Sequence, residues 1–494
     1  MRRSVLPFAL AALAFGACSP AAPRPARPLR IAYPAGPFSL DPHRHNEAIS
    51  ATILHHLYES LTTFDARLNL VPQLAESWDN PNDLTWRFHL RPDVHWHDGR
   101  PFTAADVVFS LDRIRRAGTG QEFQAFLVAV DQVRAIAPLL VEITTRRPYP
   151  ILLNKLAFVS IVPAGSPDEI TSPVGTGPYR FVRRTLGDGI EVEAFPGYWG
   201  PRPAETRVEL LGMPDPETRR TGLARGDIDI GIDPAGGESA ANGHGYRVLA
   251  QDSLVVAYLA FSAGTPPFDD RRVRQAVSLA LDRELLVRRA LRGRGTPLGQ
   301  MVGRNVFGYV PGLAPPERDV AAARRLLAEA GHPEGIDVTL EARFGRGANE
   351  VAQELAEAGI RAQVIERPWK EMYPRVEAGK VPFYLGAFFY PSADASDFFD
   401  VIAHTLDRST GYGSNNTIGF SDPALDRLIE TSGMSLDMLS RRVELERCMR
   451  RVMEDLPYVP LYAPHSLFGV RDGIRWRPRV DGQILAQEIV RADS

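Results

Sequence analysis

Apolar residues along this chain change repeatedly between strand-like alternation and helix-like spacing, and this restricts the folds that the chain can form. From Leu84 to Leu90 every second residue is apolar, which is the pattern of a half-buried strand. Residues 254–262, LVVAYLAFS, form a short apolar run, whereas the apolar residues of 273–286 recur at helical spacing. Strands and helices that alternate in this way are typical of a sheet covered by helices. The sequence therefore predicts an α/β fold.

Composition sets the size class and excludes several functions. The 494 residues are 44% hydrophobic and 24% charged, which is average for a globular protein. At roughly 150 residues per domain, the length predicts two or three domains. The net charge of −3 becomes −5 when Arg2 and Arg3 leave with a leader, so no basic excess is present for nucleic acid. After that leader, no apolar run approaches the roughly 20 residues that a membrane-spanning helix needs.

Residues 1–18, MRRSVLPFALAALAFGAC, have the organisation of an export signal: two arginines, a short apolar stretch and small residues before a cysteine. We expect residues 1–17 to be removed as a signal peptide. Cys18 is placed like the cysteine of a bacterial lipobox, which is acylated. Cleavage without lipidation stays an alternative, because Phe15 stands where Leu is more usual. Residues 18–28 are rich in Pro and Ala, which predicts an extended tether.

Local signals predict where helices and turns begin. The apolar spacing of 53–61 predicts a helix, and Asp98-Gly99 predicts a tight turn. The other Cys, at position 448, lies in a helical pattern and is predicted to be a buried structural thiol. Thr103 is the predicted cap of one helix, and either Asp269 or Asp270 is the predicted cap of another. The amphipathic stretch that follows Asp270 is expected to stop at Gly293.

Motifs that would carry catalysis or hold a cofactor are missing from the sequence. It contains no G-x-S-x-G, no G-x-x-x-x-G-K-[ST] and no H-E-x-x-H. His95, His97 and Asp98 suggest a metal site, but no further ligands recur at a recognisable spacing, so we predict no metal. Gly175-Thr176-Gly177-Pro178 is interpreted as a structural turn, because Pro178 removes a backbone donor that a phosphate would need. We therefore predict a protein of recognition rather than an enzyme, without a cofactor.

Residues 57–113, LYESLTTFDARLNLVPQLAESWDNPNDLTWRFHLRPDVHWHDGRPFTAADVVFSLDR, closely resemble the family 5 solute-binding proteins of ABC importers, whose members bind peptides, dipeptides, opines or nickel. Further matches follow in family order over the rest of the chain after the leader. They are VGTGPYRF (174–181), YWGPRPAETRVELL (198–211), GDIDI (226–230), PPFDDRRVRQAVSLALDRE (266–284), ARRLLAEAGHPEG (323–335), GFSDPALDRLIE (419–430) and LPYVPLYAPHSLFGV (456–470).

The resemblance implies a two-lobed periplasmic-binding-protein fold, class II-like, in its large three-domain variant. One lobe would combine a discontinuous domain I (29–45, 173–250 and 466–494) with an inserted domain II (46–172). The other lobe would be domain III (251–465), and crossings near 251–258 and 462–470 would form the hinge. Such a clamp closes on its ligand and docks on a permease, while a separate ATPase supplies energy. The resemblance thus implies an extracytoplasmic, lipid-anchored monomer that binds no nucleic acid and touches the membrane only through its anchor.

By resemblance, an extended ligand would pair its backbone with strand edges near Ala48–Ser50 and Ala387–Phe389. The aromatic side chains expected to line the pocket are Trp369, Phe388 and Phe389, with Phe123 or Phe126 from the opposite lobe, together with Ser50. For each aromatic residue, packing in the core is the alternative.

Relatives that bind peptides hold the ligand's α-ammonium with an aspartate, but Pro391 occupies that position here. Asp394 is a possible substitute, although Asp394 and Asp397 equally fit as caps of a helix beginning near Phe398. Arg346, in the loop from Arg343, falls where some relatives hold a carboxylate. We expect an oligopeptide or peptide-like ligand; an opine, an oligosaccharide or a nickel chelate stays an alternative, as does a hydrolase derived from the same fold.

Overall fold

The structure is a computed structural model that describes residues 27–45, 47–116, 121–237, 241, 243–343 and 345–492, without the side chains of residues 121, 122, 186, 345, 346 and 369. The predicted signal peptide, Cys18 and nearly all of the predicted tether lie outside the described residues. Among the helices that are described, none is long and apolar enough to cross a membrane.

Strands recur along the whole described chain. They are β1 (Leu29–Tyr33), β2 (Thr62–Phe64), β3 (Leu70–Pro72), β4 (Ala75–Asn82), β5 (Thr85–Leu90), β6 (Val130–Ala137), β7 (Leu140–Thr145), β8 (Tyr179–Arg184), β9 (Ile190–Ala194), β10 (Arg207–Gly212), β11 (Ile230–Ile232), β12 (Tyr246–Asp252), β13 (Val255–Phe261), β14 (Gly295–Pro297), β15 (Ile336–Ala342), β16 (Ile360–Glu366), β17 (Phe383–Phe389), β18 (Tyr458–Arg471), β19 (Ile474–Arg475) and β20 (Val490–Arg491).

Helices alternate with these strands, which confirms the predicted α/β class. They are α1 (Ala48–Leu54), α2 (Ala104–Arg115), α3 (Gln121–Gln124), α4 (Leu152–Leu156), α5 (Pro216–Arg225), α6 (Arg271–Ala280), α7 (Arg283–Leu291), α8 (Val320–Glu329), α9 (Gly345–Glu357), α10 (Trp369–Glu377), α11 (Ser396–Phe398), α12 (Pro423–Ser432) and α13 (Met438–Asp455). A π-helical turn, Phe399–Ala403, continues α11.

The largest sheet has the strand order β16-β15-β17-β13-β18-β11-β1-β10-β9-β8, with β12 and β14 also paired to β18. The long strand β18 belongs to both halves of this sheet. Its first half is antiparallel to β13, where Ala257 lies opposite Tyr462, and its second half is antiparallel to β11, where Ile230 lies opposite Val470. This strand therefore runs through both lobes.

The two predicted crossings fall on identifiable elements. Residues 251–258 contain the junction between β12 and β13, and 462–470 lie within β18. The domain boundaries given above stay a prediction, and we call residues 251–465 the second lobe and the remainder the first lobe.

A separate antiparallel sheet, β4-β5-β7-β6, lies in the first lobe. In β5 the side chains of Trp86, Phe88 and Leu90 are buried, as the alternation predicts. The helix α2 packs on this sheet and shares its core. Thr103 caps α2 as predicted, and its backbone N–H donates to Asp106 Oδ2 at 2.8 Å.

Both faces of the sheet in the second lobe are covered, which explains the continuous apolar run at β13. Val256, Tyr258 and Ala260 face one hydrophobic core, whereas the residues between them face another. Cys448 is fully buried in the first of these cores, within α13, which confirms the predicted structural thiol.

Two predicted helices have different bounds in the structure. The helix predicted over 53–61 is instead α1, which ends at Leu54, because the carbonyls of His56 and Leu57 accept hydrogen bonds from Tyr179 and Gly177 instead of continuing the helix. The amphipathic stretch that ends at Gly293 is divided into α6, capped by Asp270, and α7. Its second cap, Asp282, accepts from Leu285 N at 2.8 Å and so starts a new helix.

The glycine-rich loop at 175–177 is a structural turn held by His97. Gly175 N donates to His97 Nδ1 at 3.1 Å, and His97 Nε2 lies 3.0 Å from Gly177 O. A Cβ at Gly175 would lie 1.8 Å from Leu57 O, so only glycine fits this close approach. His97 is thus occupied by the loop, and no group of three or more metal-ligating side chains occurs in the described residues.

Candidate functional site

A cleft with an empty volume of about 940 Å³, partly open to solvent, lies between the two lobes. It is lined from all three predicted domains, and the second lobe contributes Leu254, Phe389 and Pro391. The lining residues from the first lobe are His45, Glu47, Ala48, Ile49, Ala51, Thr52, Phe64, Leu68, Phe123, Phe126, Phe158, Ile232, Asp481, Gly482 and Gln483. Most of this lining is apolar, which is typical of a ligand-binding cavity.

Four phenylalanines of the first lobe form a continuous aromatic wall in this cleft. Ring centroids are 5.6 Å apart for Phe123 and Phe126, 5.9 Å for Phe126 and Phe158, and 6.0 Å for Phe158 and Phe64. The first two contacts are edge-to-face, an arrangement that fixes ring orientation. We call these four residues the aromatic wall; the side of the cleft that they form is apolar.

The strand β17 presents Phe389 to the cleft from the second lobe. Successive side chains on a strand point to opposite faces, so Phe388 turns away and packs against Tyr390, with ring centroids 4.8 Å apart. Phe389 is 42% exposed in the structure, which leaves its ring available to a ligand. The structure therefore places Phe389, but not Phe388, in the lining.

One end of the aromatic wall is polar. The His45 ring lies edge-on to Phe123 at 5.9 Å between centroids, and His45 Nδ1 lies 3.8 Å from Glu47 Oε2. Glu47 caps α1 by accepting a hydrogen bond from Ser50 N at 3.3 Å. Burial lowers the pKa of His45 to about 4, with smaller contributions from His55 and His43, so the ring is neutral at neutral pH.

The remaining polar side chains of the lining already have partners. Asp481 forms an ion pair with Arg479 at 2.8 Å, and Gln483 Oε1 lies 2.7 Å from His55 Nδ1. Thr52 Oγ1 accepts from Ile484 N at 3.2 Å. These contacts hold the C-terminal segment against α1 and so complete the floor of the cleft.

Beside the cleft, the lobes contact each other directly. Lys155 Nζ, on α4, is 2.6 Å from Asp397 Oδ1 in the second lobe, and both side chains are buried. Asn154 Nδ2 donates to Ser392 O at 3.0 Å, and Arg147 donates to the Tyr412 hydroxyl. Burial lowers the pKa of Lys155, but Asp397 together with Tyr149 and Asp400 outweighs this effect and raises the pKa, so the pair is ionic. The lobes therefore contact each other directly beside the cleft.

Two predicted site residues, Ser50 and Asp394, take part in structure instead of the lining. The Ser50 hydroxyl accepts from Phe38 N at 2.8 Å, and Ala48–Ser50 is the first turn of α1 rather than a strand edge. Asp394 is buried against Arg441, with Oδ2 to Nη1 at 2.6 Å, and also accepts from Ser396 N, so it does not reach the cleft. The side chains of Trp369 and Arg346 lie outside the described part of the chain.

Sequence reasoning missed the polar end of the cleft and half of the aromatic wall. Phe64 and Phe158 occur in patterns that fit a hydrophobic core equally well. Only the contact between β2, which contains Phe64, and α4, which precedes Phe158, brings both rings to the lining. Glu47 carries one local signal, its place before a helix, but that signal predicts a cap. Residues 481–483 carry no periodicity that indicates a site.

A clamp of two lobes on one shared sheet, with a lined cleft between them, defines the periplasmic-binding-protein class of solute-binding proteins. The chain belongs to the bacterial extracellular solute-binding proteins, family 5, whose model matches residues 69–409. Members of this family are transport components.

Similarity to individual proteins extends over nearly the whole chain. It is 29% identical over 442 residues to the glutathione-binding protein GsiB of Pectobacterium atrosepticum, covering 85% of each chain. It is 27% identical over 507 residues to di/tripeptide-binding protein 2 of Pseudomonas aeruginosa, covering 94% of each. Among solved structures, HbpA2 from Haemophilus parasuis superimposes with a TM-score of 0.84 at 22% identity, covering 94% of this chain and all of that one.

Proposed function

We propose that this protein captures a peptide or peptide-like solute between its lobes and delivers it to the permease of an ABC importer. The observation that carries the proposal is the cleft between the lobes with its aromatic wall, which is large enough for a short peptide. The relatives named for glutathione and for di- and tripeptides support the same class of solute.

The backbone of β17 supports a peptide in particular. Its neighbour β15 pairs only with Tyr384 and Leu385, so in the described chain Gly386–Phe389 has a strand partner on one side alone, β13. An extended peptide that added here would gain main-chain hydrogen bonds, which are insensitive to the peptide's sequence. We propose Ala387–Phe389, Phe123 and Phe126 as ligand contacts and retain Trp369 and Arg346 as proposed contacts.

We further propose that the mature protein is held outside the cytoplasm by an acyl chain on Cys18, with residues 18–28 as a tether. The export-type leader supports this attachment.

The proposal is tested on the purified chain by mass spectrometry of whatever co-purifies and by thermal melts with short peptides. A ligand that binds only the folded form raises the melting temperature; at 100 times its Kd the gain is about 2.7 kcal/mol. Trp369→Ala is expected to weaken binding without lowering the melting temperature of the free protein. No shift with any peptide at millimolar concentration would contradict the proposal, and recovery of cleaved rather than intact peptide would favour a hydrolase.

A further inference from the structure

A second cavity, with an empty volume of about 980 Å³ and partly open to solvent, lies in the first lobe. It forms where β1, β10 and β11 begin, since β1 is parallel to both of the other strands. The end of β18 lies at the same edge of the sheet, because β18 is antiparallel to β11. Ile232, at the other end of β11, lines the cleft, so the two cavities are separate. We call the second cavity the arginine pocket, after the four arginines of its lining: Arg27, Arg207, Arg471 and Arg491.

Three guanidinium groups of the arginine pocket meet at one buried carboxylate, that of Asp229. Arg27 Nη1 lies 3.0 Å from Asp229 Oδ2, and Arg491 Nη2 lies 3.5 Å from the same oxygen. Arg471 Nη1 approaches the other oxygen, Oδ1, at 3.7 Å. Arg491 Nη1 is also 3.6 Å from Glu205 Oε2. Like charges repel at such distances, so three guanidiniums around two carboxylates leave a positive charge that a further anion can neutralise.

The lining as a whole has more cations than anions. Its acidic side chains are Glu205, Asp229 and Asp472, against the four arginines. The fourth arginine, Arg207, pairs with Glu191, which lies outside the lining and is shared with Arg183. The chain without its leader is net negative, so the positive excess is a local feature of this pocket. A negatively charged ligand is therefore favoured there.

The guanidinium of Arg471 is placed to bind such a ligand. Its side chain is 39% exposed, and it donates no hydrogen bond within the part of the chain that the structure describes. A Cβ at Gly226 would lie 2.8 Å from Arg471 Cζ, so the glycine leaves room for the guanidinium. A guanidinium presents its N–H donors in a planar fork that matches two oxygens of a phosphate group. Phosphate is thus the anion that fits this lining best.

The position of the tether decides which phosphate groups come near the pocket. Arg27 follows Cys18 by nine residues, a length that a fully extended chain spans in at most about 30 Å. In the attachment proposed above, Cys18 lies at the membrane surface, so the arginine pocket stays close to the lipid headgroups. Basic side chains at this range are attracted to anionic lipid.

We propose, resting on the membrane attachment proposed above, that the arginine pocket binds the phosphate group of an anionic membrane lipid. Arg207 and Arg471 contact the phosphate, while Arg27 and Arg491 remain on Asp229. The contact holds the first lobe beside the bilayer, at the end of the tether, and leaves the cleft unoccupied. A single headgroup contact orients the anchored molecule and does not replace the acyl chain as its anchor.

Flotation with lipid vesicles tests the site. The mature chain, residues 18–494, carries Cys18→Ser in this experiment, so that no acyl chain contributes to binding. At low ionic strength we expect it to bind vesicles made of equal parts of phosphatidylcholine and phosphatidylglycerol. Binding to vesicles of phosphatidylcholine alone, whose headgroup has no net charge, should be weaker by about tenfold or more. Added salt should weaken the binding to the anionic vesicles, because it screens exposed charges.

The double variant Arg207→Gln/Arg471→Gln removes the two exposed cations and keeps Arg27 on Asp229. It should bind the anionic vesicles about tenfold more weakly, the factor expected for two basic side chains at a membrane surface. The matched control is Arg87→Gln/Arg361→Gln, which removes the same charge from two exposed ion pairs outside the pocket. It should bind as the parent chain does. Equal melting temperatures of the two double variants show that both are folded.

A second pair of substitutions covers a loss of folding. Arg207→Lys/Arg471→Lys keeps the charge and removes the planar fork, so it should bind anionic vesicles more tightly than the glutamine variant and more weakly than the parent chain. Binding equal to that of the glutamine variant would contradict a role for the charge.

The remaining outcomes separate a lipid from a soluble ligand. Equal vesicle binding by the parent chain and by Arg207→Gln/Arg471→Gln would overturn the site. Absence of flotation, with inorganic phosphate bound in calorimetry, would overturn the lipid and show a site for soluble phosphate instead. Absence of both would overturn the pocket as an anion site. Failure of the proposed attachment is distinguishable, because it is read from acylation of the wild-type chain, whereas vesicle binding is measured on a chain that carries no acyl group.

Discussion

Asp394, Asp397 and Asp400 follow one another at three-residue spacing and have three different environments. Asp394 is paired with Arg441 inside the second lobe, whereas Asp397 is paired with Lys155 across the lobes. Asp400 has no such close partner, and its Oδ1 is buried without a hydrogen bond in the described residues. Burial raises the pKa of Asp400 to about 7, against the opposing charges of Lys155, Arg441 and Arg147.

The raised pKa of Asp400 makes stability depend on pH in a defined direction. The folded protein favours the protonated carboxyl, so its contribution is fully present below about pH 4 and is lost as the pH rises through about 7. The variant Asp400→Asn has a side chain that cannot ionise, so it does not lose this stability as the pH rises. From pH 5 to pH 8, we expect the free energy of unfolding of the variant to rise relative to wild type by about 2 kcal/mol. Urea unfolding of both proteins at pH 5 and pH 8 measures this difference in the free energy of unfolding.

The exposed residue Asp93 provides the control for this measurement. Asp93→Asn should give the same difference from wild type at pH 5 and pH 8. A pH-independent effect of Asp400→Asn would show that Asp400 does not titrate in this range.

At the scale of elements, the short helix α4 carries a buried ion pair between the lobes. The chain has 57 basic residues, of which only Lys155, Lys370 and Lys380 are lysines, and Lys155 is the buried one. Its ammonium group also lies 5.1 Å from the ring centroid of Phe126, so the aromatic wall and the contact between lobes share a side chain. Closure of the lobes and occupation of the cleft are therefore linked through α4.

Lys155→Met is expected to shift the protein toward the open form. Closure would bury Asp397 without its cation, whereas in an open clamp that carboxylate would be solvated, so only the closed form is penalised. We expect a larger radius of gyration by small-angle X-ray scattering and peptide affinity reduced by about tenfold. Lys380→Met, which removes an exposed lysine, should change neither quantity. An unaltered affinity of Lys155→Met would contradict a role for this pair in closure.

At the scale of the whole molecule, β18 joins the lobes and the cleft lies between them. Arg27, near the end of the predicted tether, forms an ion pair with Asp229 in which Nη1 and Oδ2 are 3.0 Å apart. The described chain is thus anchored to the first lobe where the tether ends.

Attachment of the whole molecule to the membrane depends in our proposal on Cys18. In Cys18→Ser cells the protein should move from the membrane fraction to the soluble extracytoplasmic fraction and lose incorporation of labelled palmitate, because no acyl chain can be attached. Ser19→Ala, at the neighbouring position, should remain in the membrane fraction. A soluble wild-type protein without label would instead support cleavage without lipidation.

Much of the fold could be predicted because local patterns and burial agree. The alternation in β5, the cap at Thr103 and the buried Cys448 all follow from periodicity or side-chain chemistry over a few residues. The end of α1 could not be predicted in this way. Its last residues continue a helical pattern, but carbonyls just beyond it bond to the loop at 175–177, which is more than a hundred residues away in sequence.

Like the fold, the candidate site could be predicted from the sequence only in part. Strand alternation decides that either Phe388 or Phe389 faces the cleft, but the packing of Phe388 on Tyr390 decides which one does. Asp394 is a type of residue that binds an ammonium group, but its carboxylate is paired with Arg441, which lies on α13. A residue type shows what a side chain is able to bind, whereas its neighbours in space decide whether it is free to do so.

By itself, the sequence determined the α/β class, the family and the general task of binding a solute, because these depend on periodicity and on motifs contained in single segments. Only the tertiary structure decided that His45 and Glu47 meet the aromatic wall and that Lys155 meets Asp397. These contacts join residues from separate parts of the chain, and their energies depend on burial and distance, which arise only when the lobes are assembled.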